Sequence, residues 1–121
     1  MGAVTPRRTA RVLAAVLGSS GVLHLARPRT YEWLVPPELG PARPWVLGSG
    51  VAEVGAAALL AVPRTRRTGG RLAAALFVAF VPAHLHTFRV VDRPATTAAA
   101  AVRLPLQIPL VQAALKVARE G

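Results

Sequence analysis

Residues 45–62 read WVLGSGVAEVGAAALLAV, and every position is apolar or small except Glu53 in the middle. As a helix, these eighteen residues rise about 27 Å, close to the ~30 Å hydrocarbon thickness of a bilayer. The stretch therefore predicts a transmembrane helix. A carboxylate near the centre of such a helix costs roughly 2.5 to 3.5 kcal/mol on insertion scales, so Glu53 is expected to face protein and to have a partner there.

The flanking sequence supports a membrane reading. With 53% hydrophobic residues, 11 prolines and only five acidic side chains in 121 residues, the composition is not that of a soluble domain. The net charge of +10 does not point to nucleic acid, because the arginines fall in short clusters between long Ala, Val and Leu runs. Anionic headgroups are the better counter-charge. The absence of cysteine removes disulfides, thiolate metal sites and thiol relays from this chain.

Working outward, a basic segment with Arg7, Arg8 and Arg11 precedes an apolar run, which reads as a first span over 9–26. A signal peptide shares that pattern, but no small-x-small cleavage site follows the apolar core, and His24 near its end suits a retained helix. Residues 27–44 carry Pro28, Pro36, Pro37, Pro41 and Pro44 and form an outer loop. Within it, TYEWLV at 30–35 places Tyr31 and Trp33 as interfacial anchors, on a short helix or an irregular loop. After the Glu53 helix (45–62), the basic turn PRTRRTGG at 63–70 returns the chain into a third span over 71–88, with a kink expected at Pro82. A fourth span over 96–117 is interrupted by Arg103, Pro105, Gln107 and Pro109, breakers that a membrane helix tolerates when its neighbours satisfy the freed backbone. Three spans and an amphipathic tail are the alternative.

The predicted fold is all-α: a polytopic membrane protein in one domain of 1–121, an antiparallel four-helix transmembrane bundle. Nine basic residues (Arg7, Arg8, Arg11, Arg64, Arg66, Arg67, Arg71, Lys116, Arg119) share one side with the termini, against five (Arg27, Arg29, Arg43, Arg89, Arg93) on the other. Both termini are then cytoplasmic in a cell membrane.

Measured from the outer helix ends, Glu53 lies about 12 Å down, Arg103 about 10 Å, His84 about 6 Å and His24 about 3 Å. Gln107 follows Arg103 by one turn on the same face. Four helices thus contribute polar groups at overlapping depths, and a shared pocket of His24, Glu53, His84, Arg103 and Gln107 is expected, with Glu53 and Arg103 in direct contact as its floor. His84 is expected to face the interior and His86, about 160° round the helix, the interface. Gly48, Ala52 and Ala56 form a small-residue row for close packing of the second helix.

The motifs GVLHLARP at 21–28, VPP at 35–37, SGVAE at 49–53, PRTRR at 63–67, VPAHLH at 81–86 and RLPLQ at 103–107 together resemble DoxX-like small membrane proteins, in order and over about the whole chain. The resemblance implies a four-helix membrane domain and redox association, since relatives of that family include a subunit of thiosulfate:quinone oxidoreductase and MauE-type maturation proteins. The position of His84 is often Asn in that family, which implies hydrogen bonding there rather than obligatory proton transfer.

Three functions are compatible with the sequence. The first is an accessory subunit of a membrane oxidoreductase, with the five residues holding a quinone-like lipophile and His24 or His84 exchanging protons. A redox partner subunit would accompany it. The second is a structural or scaffolding membrane protein in which Glu53 and Arg103 lock the bundle. The third is a haem protein with His24 and His84 as axial ligands. A standalone catalyst is not indicated, because nucleophile–base pairs, metal motifs and phosphate loops are missing from the sequence.

Overall fold

A computed structural model describes residues 5–121 as helices and turns, with no strand among them. Helix α1 (Pro6–Ala26) is capped by Thr5, whose hydroxyl accepts from the Arg8 amide at 3.2 Å, and carries Pro6 in its first turn. Both are standard starts, since a first-turn proline gives up no helical hydrogen bond. A four-residue turn of helix, α2 (Arg29–Glu32), and a 3-10 turn (Pro37–Leu39) occupy the proline-rich loop. The expected interfacial helix at 30–35 is thus shorter and begins one residue earlier.

Helix α3 (Ala42–Ala61) contains the Glu53 stretch and ends where the Thr65 hydroxyl donates to the Leu59 carbonyl at 2.8 Å. The third span is two helices, α4 (Arg66–Ala79) and α5 (Val81–Val90), separated at Phe80. The break falls two residues before Pro82, which has no N–H to give the preceding turn. The fourth is likewise divided, into α6 (Pro94–Arg103) and α7 (Gln107–Glu120) by a 3-10 turn at Leu104–Leu106 that contains Pro105. Each helix begins earlier than expected, by three to five residues in α1, α3 and α4. Four helical segments, Pro6–Ala26, Ala42–Ala61, Pro63–Val90 and Pro94–Glu120, are long and apolar enough to cross a membrane.

The packing is a ring: α1 lies on α3, α3 on α4, α4 on α7 and α7 on α1. Its apolar core is built from Leu13 and Leu17 of α1, Ala56 and Leu60 of α3, Ala73 and Phe77 of α4, and Ala114 and Val117 of α7. These residues come from the first part of α1, the last part of α3, α4 and α7, so the core fills one half of the molecule. In the other half α1 and α3 continue side by side, while α5 and α6 pack on each other rather than on them.

Close approach is made by glycines, though not by the expected row. Gly48 faces open space, whereas a Cβ on Gly50 would meet the Cβ of His24 at 2.9 Å and the Gly21 carbonyl at 3.1 Å. The contact face of α3 runs Gly50, Glu53, Ala57, with Gly21 and Gly18 opposite on α1. The small-residue row beginning at Gly48 was thus placed on the wrong side of the helix at its start, and Ala56 alone of that row is fully buried.

Candidate functional site

Glu53 is 2% exposed and is held from α1. Ser20 and His24 lie one helical turn apart there, facing α3 across the Gly21–Gly50 contact. The Ser20 hydroxyl donates to Glu53 Oε1 at 3.0 Å. His24 Nδ1 lies 2.6 Å from the Ser20 carbonyl and 3.2 Å from Glu53 Oε2. A carbonyl only accepts, so Nδ1 carries the hydrogen, and that single N–H faces two oxygens. Glu53 Oε2 is consequently enclosed without a hydrogen bond of its own. The imidazole is stacked on Tyr31, with ring centroids 3.9 Å apart and planes at 12°. α2 thereby closes over the pair from the loop.

Arg103 belongs to a second cluster. Its Nη1 donates to Gln107 Oε1 at 2.7 Å, and Gln107 Nε2 donates to the Phe77 carbonyl at 2.5 Å. Phe77 sits at the end of α4, beside the break, so Gln107 ties α7 to the opened end of its neighbour. The guanidinium is therefore turned toward the C-terminal end of its own helix, and no carboxylate among the described residues lies within salt-bridge distance of it. His84, half-buried on α5, is the titratable neighbour that feels the Arg103 charge.

The structure therefore brings His24 to Glu53, and Gln107 and His84 to Arg103, but keeps the two sets apart. The direct Glu53–Arg103 contact expected from their equal depth is not formed. Depth fixes a residue's height and not its direction, and α6 packs on α5 and on the 104–106 turn rather than on α3. On α5 the burial differs from the expectation for His86, which is 6% exposed beside the 36–39 turn, whereas His84 is partly covered and lies near Arg103. His24 and His84 sit on helices that do not pack closely, and Tyr31 covers one face of the His24 ring, so the arrangement gives no support to the bis-histidine haem reading. No group of three metal-ligating side chains occurs among the described residues.

Sequence reasoning missed Ser20, although its place one turn before His24 was a usable signal. It also missed the fastening of the loop. Arg43 Nε donates to Glu32 at 2.6 Å, Trp45 Nε1 to the Leu39 carbonyl at 2.9 Å, and Arg89 grips Glu38 through two bonds of 3.0 and 2.9 Å. The Arg89 guanidinium holds the Glu38 carboxyl below the usual carboxylate range, so the clasp is ionised at neutral pH.

With this geometry in view, comparison with protein families gives one match: the family described as Domain of unknown function (DUF8561) matches residues 13–118. The chain belongs to that family. The matched region starts at Leu13 and ends at Ala118, so it contains Ser20, His24, Glu53, His84, Arg103 and Gln107. No curated protein and no solved structure matches the chain.

Proposed function

We propose that this DUF8561 protein is a cell-membrane protein, an antiparallel four-helix transmembrane bundle with both termini cytoplasmic. In this reading, its outer half holds a lipophile with a hydrogen-bond-accepting head of quinone type. The insertion is supported by the outward side chains: Val12, Val22, Val51, Val78, Val102 and Ile108 are all more than half exposed and lie on every long helix. A soluble monomer rarely presents apolar surface around its whole girth. The excess of arginine and lysine on the side of the termini supports that orientation.

The observation that carries the ligand is Arg103. An arginine within a span ordinarily extends its side chain toward the headgroups, but this one is held the other way by Gln107, and Gln107 is fixed by the Phe77 carbonyl. Of its five N–H groups, one bonds Gln107, and the others have no acceptor among the described residues. Such donors suit carbonyl oxygens, with His84 adding a further hydrogen-bonding group. The Glu53–His24 pair would then store a proton on the opposite hairpin. An accessory role beside a redox partner subunit, as the DoxX-like motifs imply, fits a pocket with no catalytic group of its own.

Organic extraction of the purified protein followed by mass spectrometry tests the ligand. A stoichiometric quinone-like species is expected from the wild type, falling at least tenfold in Arg103→Leu. If the wild type yields none, the polar clusters act as packing links and the protein is a scaffold. Orientation is tested by single cysteines in intact cells. Thr30→Cys is expected to react with an impermeant maleimide added outside and Arg64→Cys to be protected; the reverse labelling would invert the topology.

A further inference from the structure

A cavity of about 480 Å³ lies on the other side of α5 from His84, between that helix and the 36–39 turn, and it uses none of the Arg103 cluster. Its walls are Pro36, Leu39, Pro82 and Leu85, and its polar groups are His86, Arg89 and Glu38. Its volume is within the range of small-molecule sites, ~300–1,000 Å³. Neither ring nitrogen of His86 has a hydrogen-bond partner among the described residues, although the residue is 6% exposed. Its Nδ1 is fully enclosed, so the open edge of the ring is the one that lines the cavity.

Chemistry decides what that edge offers. An enclosed N–H without an acceptor is a rarer arrangement than an enclosed lone pair without a donor, so the hydrogen of the neutral ring belongs on Nε2. Nε2–H then points a donor at an apolar chamber. Arg89 adds no net charge there, because Glu38 takes both of its terminal nitrogens. A carboxylate or phosphate has no uncompensated cation to meet. A neutral carbonyl attached to an apolar body matches both the single donor and the walls.

We infer that the chamber under the Glu38–Arg89 clasp is a binding site for a neutral carbonyl-bearing lipophile, an ester lipid or a free ketone, whose oxygen accepts from His86. The clasp joins the loop to α5 and holds the two walls of the chamber together. This site is independent of the Arg103 ligand, and either can fail without the other.

The ketone dye prodan is the probe, added to the full chain in detergent. Trp45 is bonded to the carbonyl of Leu39, a wall residue, so tryptophan-to-dye energy transfer reports occupancy. Saturable transfer is expected for the wild type, with affinity weakened tenfold or more in His86→Phe. The matching 2-dimethylaminonaphthalene, which has no carbonyl, should bind both proteins alike. Leu85 is half exposed, so Leu85→Phe fills the chamber with little effect on folding and should also abolish the saturable component. Transfer that rises without saturation in the wild type, or equal prodan affinity in wild type, His86→Phe and Leu85→Phe, overturns the site. In nanodiscs, weaker dye binding with ester-linked than with ether-linked phosphatidylcholine assigns the occupant to lipid ester; equal binding assigns it to a free ketone.

Discussion

Replacing His24 by leucine is expected to destabilise the protein by about 3 to 5 kcal/mol, the usual cost of leaving a buried carboxylate without its partner. Glu53 is 2% exposed, and its Oε2 is enclosed with no other polar neighbour within hydrogen-bonding geometry. The carboxylate would keep only the Ser20 hydroxyl. Glu53→Leu alone strands the His24 imidazole less severely, since its N–H still reaches the Ser20 carbonyl at 2.6 Å. The double variant should recover most of the loss, because an apolar pair of similar volume needs no compensation. A double-mutant cycle in detergent measures the coupling; strictly additive losses for His24→Leu and Glu53→Leu would sink this account. The same cycle between Glu53→Leu and Arg103→Leu should be additive, since those residues share no partner.

Gly70→Leu should be the most damaging change among the glycines. A Cβ there would stand 2.6 Å from the Ala118 amide nitrogen and 2.8 Å from the Ala114 carbonyl, and backbone cannot rotate away as a side chain can. Gly69 meets α3 in the same manner, 2.7 Å from the Leu60 nitrogen. Two neighbouring glycines thus let α4 touch α3 on one side and α7 on the other. Overpacking of this kind costs typically ~1–3 kcal/mol and occasionally more, and leucine belongs at the upper end. Gly48→Ala and Gly55→Ala have nothing within 4 Å of the new Cβ and should gain about 1 kcal/mol from helix propensity. Unfolding by dodecyl sulfate from a mild detergent compares them. A Gly48→Ala loss as large as that of Gly70→Leu would mean that helix contact is not what these glycines serve.

The helices were legible because each rests on a local signal: long Ala, Val and Leu runs, prolines at their starts and basic turns between them. Even the breaks were marked, by Pro82 and by Pro105. The presence of polar side chains within the long helices was legible too, since they stand out in apolar runs. Pairing was not. Which helix stands beside which depends on packing across the ring, and no count along the chain distinguishes a neighbour from a diagonal. Glu53 was therefore assigned a partner on the wrong helix. The burial of His86 was not legible for a related reason: depth was used to judge it, while the 36–39 turn comes to lie beside His86.

The two interruptions, at Phe80 and at Leu104–Leu106, fall at one level of neighbouring helices, because Gln107 just past the second bonds Phe77 just before the first. A pair of breaks at matched height defines an axle. Beyond it lie α5 and α6, which pack on each other, and any bending of the two spans is least costly at this level, where the helices are already interrupted. The Arg103–Gln107–Phe77 chain crosses the axle, with Phe77 on one side of it and Arg103 on the other. A pull on the guanidinium would therefore be carried through Gln107 to the Phe77 carbonyl, across the one level at which both spans are interrupted.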